Sequence, residues 1–255
     1  MWFVVEYYQR VFNHIPQFYG KWPFIRILGI QEPVSAIASI GNLVSNCYML
    51  NKMRKNLPCN APFKKLWYLF GAISINAWIW STIFHIRDFS FTEKMDYFCA
   101  TSLVISQLIV FIIRYLKLRK SFISQFSMYL TLIGCIYFYL SHIYFLGFIE
   151  FDYGYNMRVN IILGAISSIC WLVWSFYEYF FQRKKYFLKC IISIFLMDIL
   201  TILEVLDFAP ILWILDSHSL WHLSTICIPF YWYGFVIDDN YRVDYDSDDY
   251  IIKKH

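Results

Sequence analysis

The chemically most specific pattern in this 255-residue chain is a pair of histidines at helical spacing. His218 and His222 are four residues apart, which places both imidazoles on one face of a helix, one turn apart. Ser81 and His85 repeat this spacing in an earlier segment, and Asp96 follows shortly afterwards. Three neutral imidazoles and a water form a catalytic zinc site with one open position. The predicted metal ligands are therefore His85, His218 and His222.

A metal ion at such a site would lower the pKa of a bound water toward about 7 and generate a hydroxide nucleophile. We predict that Asp96 orients this water and transfers its proton, and that Ser81 donates a hydrogen bond to the developing oxyanion. A Ser-His-Asp triad is an alternative, but it leaves His218 and His222 without a role. The structural alternative is that the histidines form hydrogen bonds between neighbouring helices.

The composition of the chain excludes a soluble globular domain, a disordered chain and a disulfide-rich secreted module. Hydrophobic residues make up 59% of the sequence, and charged residues only 16%, whereas soluble domains contain about 25% charged residues. The seven cysteines are scattered singly, without a CxxC pair, so neither a disulfide framework nor a cysteine metal site is indicated. The composition is typical of a protein that crosses the membrane several times.

Seven apolar stretches are long enough to cross a bilayer as helices, and they cover residues 33–51, 66–86, 96–116, 123–148, 160–181, 187–206 and 217–237. The predicted fold is an all-α integral membrane protein, a seven-transmembrane helix bundle. Serine and asparagine residues dilute the first stretch, which makes it the weakest. The predicted domains are a luminal N-terminal segment (1–32), the membrane domain (33–237) and an acidic, solvated and disordered cytosolic tail (238–255).

The distribution of basic residues predicts the orientation. Thirteen Lys and Arg residues lie in or beside the first, third and fifth loops, and three lie in the other loops. The positive-inside rule therefore places the N-terminus in the lumen and the C-terminus in the cytosol. In this orientation Ser81, His85, Asp96, His218 and His222 all fall near the luminal face. The predicted metal site is therefore intramembrane and close to the lumen.

Several segments of the sequence match motifs of a known family. They are Tyr19-Gly-Lys-Trp-Pro-Phe24, Gln31-Glu-Pro33, Asn76-Ala-Trp-Ile-Trp-Ser-Thr-Ile-Phe-His-Ile-Arg-Asp88, Thr92-Glu-Lys-Met-Asp-Tyr-Phe98 and Leu215-Asp-Ser-His-Ser-Leu-Trp-His-Leu-Ser-Thr225. With these motifs the chain resembles the post-GPI-attachment lipid-remodelling phospholipases. That family is a branch of the CREST superfamily of seven-span hydrolases, which also includes alkaline ceramidases and adiponectin receptors.

The resemblance implies that His85, His218 and His222 bind zinc and that Asp96 and Ser81 assist catalysis. It also implies a hydrolase that removes the sn-2 acyl chain from the phosphatidylinositol of GPI-anchored proteins, in the membrane of the endoplasmic reticulum or Golgi. The expected partners are membrane phospholipid and GPI-anchored proteins, not nucleic acid, and the oligomeric state is left open. The alternatives are an amidase similar to alkaline ceramidases and a non-catalytic seven-span receptor or scaffold with a structural metal.

Residues near the predicted site have weaker patterns. Arg87 is a candidate ligand for a phosphate-bearing headgroup, although an ion pair with the adjacent Asp88 is an equal alternative. Trp221 is a candidate for the wall of a lipid pocket, although Trp is also enriched at bilayer interfaces in general. Glu32 alone makes a poor calcium site, so a structural or capping role is favoured. The acids Asp198 and Glu204 in the sixth stretch have no assigned partner.

Overall fold

The computed structural model describes residues 2–18, 20–57, 61, 63–118 and 121–252, with side chains described up to residue 241. Tyr19, which opens one of the family motifs, lies outside these ranges. The described residues form nine α-helices: α1 (Trp2–Phe12), α2 (Pro33–Asn56), α3 (Lys64–Ile86), α4 (Ser90–Lys117), α5 (Phe122–Tyr144), α6 (Tyr153–Phe176), α7 (Phe187–Leu206), α8 (Ser217–Thr225) and α9 (Ile228–Ile252). Single π-helical turns extend α5 and α6. The predicted all-α class is confirmed.

Five of the seven predicted stretches lie in helical segments that are long and apolar enough to cross a membrane. These segments are α3, α4, α5 and α6 with their π-helical turns, and α8 together with α9 (Ser217–Tyr241). The stretches 33–51 and 187–206 are also helical, as α2 and α7, but they are not among the five found in the described residues. Serine and asparagine residues lower the apolarity of α2, and α7 carries Lys189, Asp198 and Glu204.

The predicted stretch 217–237 is divided into two helices. Asp216 caps α8, because its carboxylate accepts a hydrogen bond from the backbone N–H of Ser219 at 2.8 Å. The helix ends at Thr225, and α9 begins at Ile228 with Pro229 in its first turn, where proline is tolerated because that N–H has no helical partner. The cap fixes where α8 begins, and it thereby places the two histidines of α8 in its first two turns.

The chain before α2 crosses one end of the bundle. Near its start, the indole N–H of Trp22 donates to Asp207 Oδ1 at 2.7 Å, beyond the end of α7. Near its end, the backbone N–H of Glu32 donates to the carbonyl of His85 at 3.0 Å, in the last turn of α3. The segment 22–32 is therefore attached to the same end of the bundle as the predicted site.

Lys21 connects this segment to the start of α4. Its ammonium group pairs with Asp88, and with Glu93 at 2.8 Å. Burial alone would lower the pKa of Lys21, but its hydrogen bonds to Asp88 and Glu93 outweigh burial and raise the pKa above its usual value. The ammonium group is therefore charged at neutral pH.

The opposite end of the bundle contains a buried ion pair. Arg114 of α4 donates two hydrogen bonds of 2.7 Å to the carboxylate of Asp239 in α9, and both side chains are almost fully buried. Lys189 pairs with Asp238 at 2.7 Å. The prediction of a solvated, disordered tail is therefore wrong for its first residues, because Asp239 is buried in α9 and Arg114 compensates its charge. Residues 253–255 of that tail lie outside the described residues.

Candidate metal centre

The three predicted ligands come together between α3 and α8. His222 Nε2 lies 3.2 Å from His85 Nε2 and 2.9 Å from His218 Nε2. One ligand atom from each of the three histidines lies within 4.8 Å of those from the other two. His85 and His222 are buried, and His218 is half-buried. The structure thus brings the two histidines of α8 and the distant His85 to one point. That they bind a metal ion remains a prediction.

Two carboxylates orient two of these imidazoles. Nδ1 of His85 lies 2.7 Å from Glu32 Oε2, and Nδ1 of His218 lies 2.6 Å from Glu204 Oε2. An ionised carboxylate can only accept hydrogen bonds, so Nδ1 of each ring carries the hydrogen. In the neutral ring the lone pair is then on Nε2, which faces the centre of the cluster. Carboxylate–histidine pairs of this kind are usual around protein metal ions.

The donor set fits a divalent metal ion. When their rings are neutral, His85 and His218 direct their Nε2 lone pairs at the centre, and His222 Nε2 can donate its single hydrogen to only one of them. The cluster therefore has more acceptors than hydrogens, and a cation at its centre would compensate this excess. Imidazole nitrogen is a ligand for zinc and for several other transition metals. Nδ1 of His222 is buried and has no hydrogen-bond partner in the described part of the chain.

Polar side chains of α2 position α8. Asn42 Nδ2 donates to the backbone carbonyl of His222 at 2.7 Å, and Asn46 accepts a hydrogen bond of 2.9 Å from Ser74 of α3. Ser39, Asn42 and Asn46 are all buried. The residues that make α2 the least apolar stretch thus face the inside of the bundle, where they form interhelical hydrogen bonds.

Ser81 and Asp96 both lie beside the histidine cluster. Ser81 Oγ is buried, one turn before His85, and lies 3.0 Å from Ser39 Oγ. Asp96 is close enough to His85 and His218 to interact with them electrostatically. Within the described residues, no hydrogen bond joins Ser81 to a histidine, which disfavours a Ser-His-Asp triad. The roles predicted for Ser81 and Asp96 remain predictions.

Comparison with known proteins shows the family. The Per1-like family matches residues 1–240. The chain belongs to the Per1-like family. The protein called GPI-specific phospholipase A2-like PGAP3 from Danio rerio is 41% identical over 240 residues, which are 94% of this chain and 74% of that protein. The protein of the same name from Homo sapiens is 37% identical over 250 residues, which are 98% of this chain and 76% of that protein.

A third relative, Post-GPI attachment to proteins factor 3 from Drosophila melanogaster, is 41% identical over 212 residues, 83% of this chain and 63% of that protein. No solved structure matches the chain. The resemblance inferred from the sequence motifs is confirmed at the level of the family.

The two weaker candidates in this Per1-like chain have different surroundings. Trp221 stacks on His218, with 5.9 Å between ring centroids, so it contacts the cluster directly. Arg87 is exposed, and its guanidinium lies 5.0 Å from the centre of the Phe89 ring. Asp88, its predicted alternative partner, pairs with Lys21 instead. The structure thus brings Trp221 to the site, whereas none of the contacts described for Arg87 joins it to the histidines.

The sequence did not reveal the roles of the two carboxylates. Glu32 is the N-cap residue of α2, but its side chain makes no capping bond and contacts His85 instead. Of the favoured structural or capping role, the capping part is therefore wrong, and the structural part is compatible with this contact. Glu204 had no assigned partner and contacts His218. Asp198, the other unassigned acid, accepts a hydrogen bond of 2.6 Å from Ser168. One signal was available: Glu32 and Glu204 lie at the ends of apolar stretches, at the same predicted depth as the histidines.

Proposed function

We propose that this protein is a zinc-dependent membrane hydrolase that removes the sn-2 acyl chain from the phosphatidylinositol of GPI-anchored proteins. The observation that carries the proposal is the convergence of three imidazole Nε2 atoms, two of them oriented by carboxylates, in a member of the Per1-like family. The names of the relatives, GPI-specific phospholipase A2-like, support both the substrate and the type of bond.

The proposal includes seven membrane spans, with α2 and α7 crossing alongside the five more apolar segments. Both helices direct polar groups into the bundle: α2 uses Asn42 to bind α8, and α7 uses Glu204 to bind His218. Polar groups that are satisfied inside a bundle are compatible with a membrane span. We place the cluster near the lumen of the endoplasmic reticulum or Golgi, on the side of the membrane where GPI anchors are found.

His85, His218 and His222 would hold the zinc ion. Zinc in a three-imidazole site lowers the pKa of a bound water to near 7 and so provides a nucleophile at neutral pH. Glu32 and Glu204 keep two of the Nε2 lone pairs directed at the centre. Trp221 covers one side of His218, and this apolar wall suits a lipid chain and limits access of bulk water.

Asp96 and Ser81 would assist ester cleavage. The water oxygen forms a bond to the acyl carbon, and the bond between that carbon and the glycerol oxygen breaks. Asp96 accepts the proton of the water and passes it to the departing alkoxide, so a fatty acid and a lyso lipid are released. The hydroxyl of Ser81 donates to the carbonyl oxygen as negative charge develops there, which requires it to turn from its present contact with Ser39.

The test uses the purified protein and two lipids, one with an sn-2 ester and the other a ceramide. We expect fatty-acid release from the ester only. Ser81→Ala should lower the rate about 100-fold, as loss of an oxyanion donor does elsewhere, while the bound zinc is retained. Ser74→Ala is the matched control, because Ser74 is a buried serine of the same helix that contacts Asn46. Cleavage of the ceramide instead, or equal loss of activity in both variants, would contradict the proposal.

A further inference from the structure

A groove between α2 and α3 lies at the end of these helices that is remote from the histidines. It is open to the outside and has a volume of about 420 Å³, which is within the range of ligand sites. It lies along the second half of α2 and the first half of α3, and its lining residues are Cys47, Leu50, Asn51, Arg54, Tyr68 and Ile75. The lining is mainly apolar, with one charged side chain.

That charged side chain, Arg54, is exposed and forms no ion pair or hydrogen bond with any residue that the structure describes. The surrounding segment, residues 52–65, contains five Lys and Arg residues and no acid. The ammonium group of Lys64 lies 6.0 Å from the ring centre of Tyr68, on the other wall of the groove. This end of the groove therefore has a positive charge that an anion would complement.

The apolar part of the groove lies beside exposed apolar side chains of α2. Val44 and Tyr48, on the same helix and next to Cys47, are exposed, and in a membrane protein such side chains contact acyl chains. A guanidinium group binds phosphate through two hydrogen bonds, and basic pockets between membrane helices bind anionic headgroups. An apolar channel that ends at an unpaired arginine therefore matches a molecule with a hydrocarbon chain and a phosphate.

We propose that this groove binds one anionic phospholipid of the surrounding membrane, with its phosphate at Arg54 and an acyl chain along Leu50, Ile75 and Cys47. The site is separate from the histidine cluster. The bound lipid covers the side of α2 where the contacts between α2 and α3 leave a gap.

Lipid binding can be measured on the full chain in detergent, by native mass spectrometry with added phosphatidylserine or phosphatidylcholine. We expect phosphatidylserine, an anionic phospholipid that is not the proposed substrate, to bind at one site. Arg54→Gln should weaken this binding about tenfold or more, because a hydrogen-bonded charge pair is lost. Lys52→Gln is the matched control, since Lys52 is an exposed cation on the same helix that does not line the groove, and it should change the affinity little.

A second pair of variants tests the apolar part of the groove. Cys47→Phe should fill it and abolish binding, whereas Val44→Phe, at an exposed position one turn away, should not. Equal binding of phosphatidylcholine, equal losses in Arg54→Gln and Lys52→Gln, or unchanged binding in Cys47→Phe would overturn the proposal. Because binding is measured without turnover, the result is independent of whether the protein is a hydrolase.

Discussion

Replacing the carboxylates that contact the histidines should weaken metal binding without removing a ligand. Glutamine has the size of glutamate and can still accept the Nδ1 hydrogen, so Glu32→Gln and Glu204→Gln remove mainly the charge. Loss of an outer carboxylate lowers metal affinity about 10- to 100-fold in known sites, which corresponds to about 1.4 to 2.8 kcal/mol. A hydrogen bond to a charged group contributes about 1.5 to 3 kcal/mol, which is a similar range.

The two variants should lose different amounts of metal affinity. The side chains of His85 and Glu32 are 1% and 17% exposed, whereas those of His218 and Glu204 are 34% and 15% exposed. Water can partly replace the lost charge at His218, but it has little access to His85. We therefore expect the loss of metal affinity to be near 100-fold in Glu32→Gln and near 10-fold in Glu204→Gln.

The assay is equilibrium dialysis of the purified protein in detergent against zinc buffers, with bound zinc measured by mass spectrometry. Asp198→Asn is the matched control for Glu204→Gln, because Asp198 lies on the same helix and contacts Ser168 instead of a histidine. Its zinc affinity should equal that of the wild type. An unchanged affinity in both glutamine variants, or an equal loss in Asp198→Asn, would refute the assigned role of the carboxylates.

Three further predictions concern stability, measured as thermal unfolding in detergent. Arg114→Met should destabilise the protein by about 3–5 kcal/mol, because Asp239 is left buried without its ion-pair partner. The double variant with Asp239→Leu should recover most of this loss, and additive losses would contradict the prediction. Asn42→Ala should lower the free energy of unfolding by about 1–3 kcal/mol, because the hydrogen bond to the carbonyl of His222 is lost. An unchanged unfolding temperature would argue against that hydrogen bond. Removal of zinc with a chelator should lower stability, and zinc at 100 times its dissociation constant should restore about 2.7 kcal/mol, whereas a His222→Ala variant should not respond.

The sequence predicted the parts of the structure that depend on local spacing and apolarity. The four-residue spacing of His218 and His222 predicted that both rings lie on one face of a helix, and both residues lie in α8. The convergence with His85 was predicted by span counting, because the predicted second span ends, and the predicted seventh span begins, on the same side of the membrane. These inferences needed no knowledge of which helices are neighbours.

The parts that the sequence did not predict depend on which helices are neighbours. Glu204 and Asp198 lie on one helix in similar apolar surroundings. Glu204 contacts His218 of α8, whereas Asp198 contacts Ser168 of α6, and only the packing of the helices decides between these partners. Likewise, the sequence around Asp239 is typical of an acidic tail, whereas the structure pairs Asp239 with Arg114 of α4, 125 residues away in the sequence. Long-range pairs of this kind leave no local periodicity in a single sequence.

The lipid on a GPI-anchored reporter tests the central claim most directly. Its mass spectrum would be compared in cells that lack this protein, in cells with the protein restored, and in cells that carry His222→Ala at the same expression level. We expect only the intact protein to produce the lyso or remodelled anchor. An identical anchor lipid in all three cell lines would contradict remodelling by this protein, and full remodelling by His222→Ala would contradict the metal centre.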